Sequence, residues 1–165
     1  MLSIQKITPC LWFDDQAEEA VEFYTAIFRN SRIVSVTRYG RAGHEIHGKP
    51  TGSVMTVVFE LDGQAFTALN GGPLFTFNEA ISFQVHCDTQ EEVDYFWEKL
   101  SAGGDDRAQQ CGWLKDKYSV SWQVVPTVLL EMIHDPDAEK SQRAMEAMLH
   151  MKKIEIDTLK RAYAG

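Results

Sequence analysis

Five side chains in short strand-like segments have the chemistry to bind or act on a small molecule. Cys10 and Trp12 lie in one segment, Gln84 and His86 lie in another, and Glu131 interrupts a later apolar run. An imidazole can act as an acid or base near neutral pH, and an aromatic wall with a few polar groups is typical of ligand pockets. We therefore expect a small-molecule binding pocket, with His86 and Glu131 as candidate catalytic residues.

Two of these residues also have simpler interpretations. No partner that would orient His86 is identifiable, which favours a solvated side chain at a strand end. Cys10 has neither a base nor a helix N-terminus beside it, which favours a small packing residue. Glu131 is different, because a carboxylate between apolar neighbours needs a partner or must face a cavity. The pattern therefore favours a pocket-facing role for Glu131.

Two segments repeat the same strand pattern. Residues 7–14 and 81–88 both alternate apolar and more polar side chains, as half-buried strands do. The more polar faces comprise Thr8, Cys10 and Trp12 in the first segment, and Ser82, Gln84 and His86 in the second. We expect both of these faces to line the pocket.

A helix is predicted after each of these strands. Asp15 with Glu18, and Thr89 with Glu92, have the spacing of capping boxes, and apolar residues follow at helical intervals. Further strands are predicted over residues 33–39, 54–61 and 65–70 in the first half, with a hairpin turn at Asp62-Gly63 between the last two. In the second half, strands are predicted over residues 120–125 and 128–133, and residues 112–118 are a weak strand or a loop. Each half is thus expected to be a βαβββ module. Asp135 is the expected cap of a helical tail.

The predicted organisation is one α+β domain covering residues 1–165. Module one would span about residues 1–75, module two about 76–135, and the C-terminal helices about 136–165. Two such modules predict a curved, barrel-like mixed sheet around a concave cleft, which both polar strand faces would line.

Composition argues against several partners. The net charge of −8 makes nucleic acid an improbable partner, because phosphate backbones would be repelled. We expect no membrane association, since no apolar stretch approaches the roughly 18 residues of a membrane helix. The first residues lack signal-peptide features, which predicts a cytoplasmic location. Three cysteines without CxxC spacing argue against a disulfide framework and a zinc knuckle.

Several segments carry a resemblance to a known family. They are Thr-Pro-Cys-Leu-Trp-Phe-Asp at 8–14, Ala-Leu-Asn-Gly-Gly at 68–72, Phe-Asn-Glu-Ala-Ile-Ser-Phe-Gln at 77–84, Cys-Gly-Trp-Leu-Lys-Asp at 111–116, Ser-Trp-Gln-Val-Val-Pro at 121–126 and Met-Lys-Lys-Ile at 151–154. With the paired modules, they resemble the PhnB-like, 3-demethylubiquinone-9 3-methyltransferase-type family of the glyoxalase, bleomycin-resistance and dioxygenase (vicinal oxygen chelate) superfamily. One departure is Ser119, which stands where the family pattern has glycine after an aromatic residue. A side chain there resists positive φ.

The resemblance also implies where a superfamily metal site would lie. Relatives place ligands on the first and last strands of each module, and the corresponding positions are Thr8, Ala68, Ser82 and Glu131. Only Glu131 is a good ligand for a divalent ion, so we expect no cofactor and no standard metal site. A divalent metal held by Glu131 is the alternative. A shift of two residues along the same face would instead bring in Cys10, Gln84 and Asn70.

Three functions remain open at this level. Missing metal ligands favour a protein that binds a small molecule in the cleft without catalysis, as bleomycin-resistance relatives do. Glu131 and His86 keep a glyoxalase-like lyase or isomerase as the alternative. Methyl transfer, which the family description suggests, is less favoured, because no Gly-rich strand-to-helix loop for S-adenosylmethionine is present.

Two further expectations concern aromatic residues and assembly. Trp122 is included among the pocket residues, although Trp113 and Trp122 fit a pocket wall and a core position equally well. Superfamily relatives commonly form symmetric dimers, and the C-terminal helix offers Met145, Met148 and Leu149 for such a contact. We therefore predict a homodimer.

Overall fold

Two small mixed sheets are the framework of this computed structural model, which describes residues 5–165. The chain divides into two units, Met1–Thr76 and Phe77–Gly165. The first unit contains β1 (Cys10–Phe13), α1 (Ala17–Ile27), β2 (Arg32–Arg38), α2 (His44–His47), β3 (Val54–Leu61) and β4 (Gln64–Asn70). The second contains β5 (Phe83–Cys87), α3 (Gln90–Ser101), a 3-10 turn (Asp106–Ala108), β6 (Trp113–Lys115), β7 (Ser121–Pro126), α4 (Thr127–Ile133), α5 (Ala138–Leu149) and α6 (Ile156–Ala164). The predicted α+β class is confirmed.

The first sheet has the strand order β1-β4-β3-β2, and α1 packs on one of its faces. β1 runs parallel to β4, whereas β3 is antiparallel to both of its neighbours. Tyr24 of α1 is fully buried, and its ring stacks on Phe59 of β3 at 6.5 Å between centroids. The predicted turn at Asp62-Gly63 joins β3 to β4, and both residues have positive φ, as a tight hairpin requires.

The start of α1 is capped from β4 and not by Asp15. The N-cap position is Gln16, whose side chain makes no capping bond. Instead, Oδ1 of the buried Asn70 accepts a hydrogen bond from the Ala17 backbone N–H at 2.8 Å, and its Nδ2 donates to the Val54 carbonyl at 3.2 Å. A capping group from a neighbouring strand satisfies a helix N–H as well as a local one does. The prediction of Asp15 as the cap was therefore wrong.

The second sheet has the strand order β5-β7-β6, and α3 packs on one of its faces. β5 is parallel to β7, and β6 is antiparallel to it. The predicted cap of α3 is confirmed, because Thr89 Oγ1 accepts from the Glu92 N–H at 3.2 Å. Alternate positions of the three strands place buried residues on the face toward this helix; they are Val85, Cys87, Leu114, Trp122 and Val124.

The last predicted strand, residues 128–133, is wrong: these residues form α4. Leu129 and Met132 are buried at helical i, i+3 spacing, and Pro126 ends the strand before them. A short apolar run does not separate a strand from a buried helical turn by its periodicity, which explains the error. The second module is therefore βαββ followed by a helix, and Glu131 lies exposed on that helix.

Three C-terminal helices pack around one apolar cluster, whose buried members are Val125, Leu129, Met132, Ala144, Ile154 and Leu159. Asp137, and not the predicted Asp135, caps α5, because its Oδ1 accepts from the N–H groups of Glu139 and Lys140. Asp135 instead accepts a hydrogen bond from the Tyr163 hydroxyl and ties α6 to the start of α5. No helix among residues 5–165 is long and apolar enough to span a membrane.

Ser119 occupies the left-handed region of backbone space, at φ +69°. We expect Ser119→Gly to raise the free energy of unfolding by roughly 1 kcal/mol, since a side chain with a Cβ is strained there and Ser119 is exposed. Urea denaturation monitored by tryptophan fluorescence measures the change. Ser119→Ala is the matched control and should show no gain. A glycine variant no more stable than the serine protein would contradict the assignment of strain.

Candidate functional site

A row of polar and aromatic side chains crosses the face of the second sheet opposite α3. Gln84 of β5 pairs with Gln123 of β7, and Gln123 pairs with Trp113 of β6. Residues paired in this way point to the same side, and neighbouring strands lie about 4.8 Å apart. The two amides and the indole therefore share one surface about 10 Å across.

Hydrogen bonds orient the two amides. Gln123 Nε2 donates to Ser82 Oγ at 2.8 Å, and Gln84 Nε2 donates to Gln123 Oε1 at 3.5 Å. Ser82 thus fixes Gln123, and Gln123 holds one N–H of Gln84. Within residues 5–165, the second N–H and the carbonyl oxygen of the Gln84 amide have no protein partner.

A cavity of about 600 Å³ lies over this row, inside the second unit. Its polar lining includes Gln84, Gln110 and Gln123, with Trp113 beside them. Most of its apolar lining comes from α4, α5 and the segment between α5 and α6: Leu129, Leu130 and Ile133 of α4, Met148 and Leu149 of α5, and Ile154. A volume of this size with few polar groups is typical of small-molecule sites.

The cavity carries little net charge. Among the described residues, Glu79 is the only charged one in the lining, and its carboxylate lies 2.5 Å from Lys115 Nζ. The hydrogen bond from Lys115 holds the pKa of Glu79 below its usual range, so the Glu79 carboxylate is ionised at neutral pH and has the Lys115 ammonium as its partner. The lining therefore favours an uncharged ligand.

Cys111 lies in the cavity lining and helps to close it. Its backbone N–H donates to the Met151 carbonyl at 2.8 Å, and the Gly112 N–H donates to the Lys152 carbonyl at 2.8 Å. Its φ of +53° is unusual for a residue with a side chain. These two bonds attach the segment after α5 to the sheet, so the helices and the strands form one cavity.

Two of the predicted pocket residues of the first unit, Trp12 and Cys10, lie on or near the face of its sheet opposite α1. Trp12 Nε1 donates to the Gly72 carbonyl at 2.8 Å, and a Cβ on Gly71 would lie 2.3 Å from its ring. The glycine is therefore required for this close packing, and Trp12 secures the loop after β4. Cys10 is exposed at the start of β1, and desolvation raises the pKa of its thiol, which disfavours the reactive thiolate.

Ala68 and Asn70 do not lie on the face predicted for them. Ala68 pairs with Leu11, and Asn70 pairs with Phe13, which puts both on the α1 face. Ala68 is fully buried there, and Asn70 is the cap of α1 described above. The parallel register between β1 and β4 cannot be inferred from either segment alone, and an offset of one residue reverses the face. Thr67 and Leu69 occupy the opposite face.

The second unit separates its predicted residues into three groups. Gln84 belongs to the polar row of the cavity, and Ser82, outside the lining, accepts the hydrogen bond that orients Gln123 in that row. His86 is exposed on the same strand face but outside the cavity lining. Trp122 is only 3% exposed, lies on the α3 face and donates to Asp116 Oδ2 at 2.9 Å, so it is a core residue and Trp113 is the cavity wall.

The sequence analysis did not identify Gln123, Gln110 or the helical wall, which is the apolar part of the cavity lining that α4 and α5 contribute. Alternation alone signals Gln123, because it stands between the buried Trp122 and Val124 and must face the other way. The wall depends on α4, which the apolar run at residues 128–133 did not reveal.

The residues at the superfamily metal positions do not fit a divalent ion. Thr8 precedes β1 and donates to the Gln5 carbonyl at 3.3 Å, Ala68 is buried against α1, and Ser82 binds Gln123. Glu131 is on a helix, outside the cavity lining. Across residues 5–165, no three His, Cys, Asp or Glu side chains are grouped closely enough to hold a metal. Metal content itself stays a prediction.

Comparison with known proteins establishes the family. Residues 5–125 match the model of the family described as 3-demethylubiquinone-9 3-methyltransferase, and the chain belongs to this family. A solved structure titled a putative 3-demethylubiquinone-9 3-methyltransferase, PhnB protein, from Bacillus cereus is 38% identical. It has a TM-score of 0.64, and the match covers 74% of this chain and all of the Bacillus protein. The predicted PhnB-like family is thereby confirmed.

More distant structures share the fold alone. A fosfomycin resistance protein, FosX, from Mesorhizobium loti is 14% identical with a TM-score of 0.54, covering 82% of this chain and all of that one. A protein from Pseudomonas aeruginosa is 17% identical with a TM-score of 0.55, covering 74% of this chain and 98% of that one. These likenesses show that the chain shares its fold with both proteins. No protein of curated function matches the chain.

The family match ends where the helical wall begins. Residues 126–165, which include α4, α5 and α6, lie beyond the matched residues 5–125. The polar row of the cavity thus belongs to the matched region, and most of the apolar wall does not.

Proposed function

We propose that the protein binds a small, uncharged and largely apolar molecule in the cavity of its second unit, without a metal ion. The cavity itself is the observation that supports this, because three amides and an indole face an apolar helical wall. Burial of apolar surface would supply most of the affinity, at about 25 cal/mol per Å², and the amides would orient the ligand.

The lining offers little for catalysis. Its titratable groups are Glu79, which is paired with Lys115, and Cys111, whose thiol donates to the Leu149 carbonyl. Neither is placed beside a second group that would make it a nucleophile or a general base. We therefore propose binding without turnover and not a glyoxalase-like enzyme.

Methyl transfer is not part of the proposal, although the family description names it. The described residues form a four-stranded and a three-stranded sheet, and neither is a doubly wound parallel sheet. The loop after β4, Asn70-Gly71-Gly72-Pro73, leads into no helix that could receive a cofactor phosphate or carboxylate at its N-terminus. The cytoplasmic location and the homodimer stay predictions.

A neutral fluorescent probe tests the proposal. N-phenyl-1-naphthylamine at a fixed low concentration should show a saturable rise in emission as protein is added. For a probe of this size we expect a dissociation constant of about 100 μM or tighter. Linear, non-saturating emission up to millimolar protein would contradict a defined site.

Metal content provides a separate test. We expect purified protein to hold no stoichiometric transition metal, because the superfamily positions lack a set of three or more donors. Elemental analysis by inductively coupled plasma mass spectrometry measures this directly, and Glu131→Gln should give the same result. One metal ion per chain, lost in the Glu131→Gln variant, would revive a metal-dependent function.

A further inference from the structure

We infer that the cavity recognises the edge of a carboxamide, lactam or imide attached to a ring, with Gln84 as the residue that binds this edge. The inference rests on the proposed function and names the chemistry of its ligand. It follows from three properties of the cavity: the groups that Gln84 leaves unpaired, the balance of charge and the position of Trp113.

The Gln84 amide presents one donor and one acceptor side by side. Its first N–H is used by Gln123, and Gln123 is held in place by Ser82. Gln84 is an exposed member of the cavity lining, so its remaining N–H and its carbonyl oxygen are accessible to a ligand in the cavity, whose lining is otherwise mainly apolar. The matching ligand edge has an adjacent acceptor and donor, as a primary amide, a lactam or an imide has.

The charges at the cavity lining disfavour acidic ligands and give basic ligands no special advantage. A ligand carboxylate would find no unpaired cation in the lining, and it would approach the carboxylate of Glu79. A ligand ammonium would meet a carboxylate already neutralised by Lys115. Two hydrogen bonds to an uncharged edge avoid the desolvation of a charge.

The indole of Trp113 in the lining favours a ligand that contains an aromatic ring. Trp113 pairs with Gln123, and Gln123 pairs with Gln84, so the indole of Trp113 lies two strands from the amide of Gln84. That separation is about 10 Å, which a fused bicyclic ring bearing an amide spans. Aromatic contacts of this kind add about 0.5–1.5 kcal/mol beyond the burial of area.

Three matched probes test the inference: 2-naphthamide, N,N-dimethyl-2-naphthamide and 2-naphthoate. They share one ring system, and they differ in the donor and in the charge of the edge. Titration of protein labelled with ¹³C at its methyl groups, followed by NMR, gives each dissociation constant from the shifts of Leu129, Leu130 and Ile133. We expect 2-naphthamide to bind at least about tenfold more tightly than either of the others.

Substitution of Gln84 tests whether this residue causes the preference for 2-naphthamide. Gln84→Leu and Gln84→Met should each reduce the ratio between 2-naphthamide and its dimethyl derivative to about one, because the paired hydrogen bonds are lost. Gln142→Leu, an exposed glutamine on α5 outside the lining, should keep the full ratio. A preference that survives both Gln84 variants would overturn the role of Gln84.

The outcomes separate the inference from the proposed function. If all three probes shift the cavity methyl signals with equal affinity, or 2-naphthoate binds most tightly, the inference is wrong and small-molecule binding stands. If no probe shifts these signals at millimolar concentration, the proposed function fails and the inference fails with it.

Discussion

Replacing Asp116 with alanine is expected to lower the free energy of unfolding by about 4 kcal/mol. Asp116 is only 2% exposed, and its carboxylate accepts hydrogen bonds from three buried donors. Oδ1 accepts from the Tyr118 and Val120 backbone N–H groups at 2.8 and 3.1 Å, and Oδ2 accepts from Trp122 Nε1 at 2.9 Å. Alanine leaves all three donors buried without this acceptor.

The Asp116→Ala substitution should also affect ligand binding in the cavity. Asp116 stands in the turn between β6 and β7, the two strands that present Trp113 and Gln123. Loss of the carboxylate removes the hydrogen bonds that hold this turn, and we expect the pairing of β6 with β7 to weaken. We therefore expect the stability loss to be accompanied by weaker probe binding.

Chemical denaturation of three variants measures the stability change. Asp116→Asn keeps one acceptor for the two backbone N–H groups but sets an amide N–H against the indole N–H, so about half of the loss is expected. Asp105→Ala is the control, since Asp105 also accepts a backbone N–H, from Arg107, but is exposed, and its loss should be below about 1 kcal/mol. Equal losses in Asp116→Ala and Asp105→Ala would contradict the account of Asp116.

Replacing Leu130 with tryptophan should lower the affinity for N-phenyl-1-naphthylamine by at least about tenfold. Leu130 lies on α4 and its side chain lines the cavity, so an indole there would fill space that the ligand needs. The added ring occupies an existing void, so we expect a stability cost below the roughly 1–3 kcal/mol of overpacking a filled core.

The matched control is Leu74→Trp, which adds the same indole at a leucine that is 74% exposed in the first unit. Fluorescence titration should give the unsubstituted affinity for this control. If both tryptophan variants bind the probe as the unsubstituted protein does, the ligand does not occupy this cavity. A loss in both variants would point to an effect of tryptophan unrelated to the cavity.

Local sequence signals predicted most elements because those signals act within a few residues. The Asp62-Gly63 turn, the Thr89 cap and the helical stripe of α1 each depend on close neighbours, and each lies where it was predicted. The polar row was partly predictable for the same reason. Alternation along a single strand placed Ser82 and Gln84 on the face away from α3.

The wrong predictions concern residues whose structure depends on contacts with segments that are distant in the sequence. Asn70 was assigned to the pocket, yet it caps α1 because the pairing of β1 with β4 brings it there. Glu131 was assigned to a strand, yet packing of Leu129 and Met132 into the C-terminal cluster makes the segment helical. Tertiary contacts override local propensity in short apolar runs, and the sequence pattern does not contain those contacts.

The most direct test of small-molecule binding in the second unit is to locate the bound probe. Nuclear Overhauser effects between N-phenyl-1-naphthylamine and ¹³C-labelled methyl groups report on contacts within a few ångströms. We predict effects to Leu129, Leu130 and Ile133, which line the cavity. A competing apolar surface is the exposed strand β2, with Ile33, Val34 and Val36. Effects confined to those three residues, with none to the cavity methyl groups, would contradict the account.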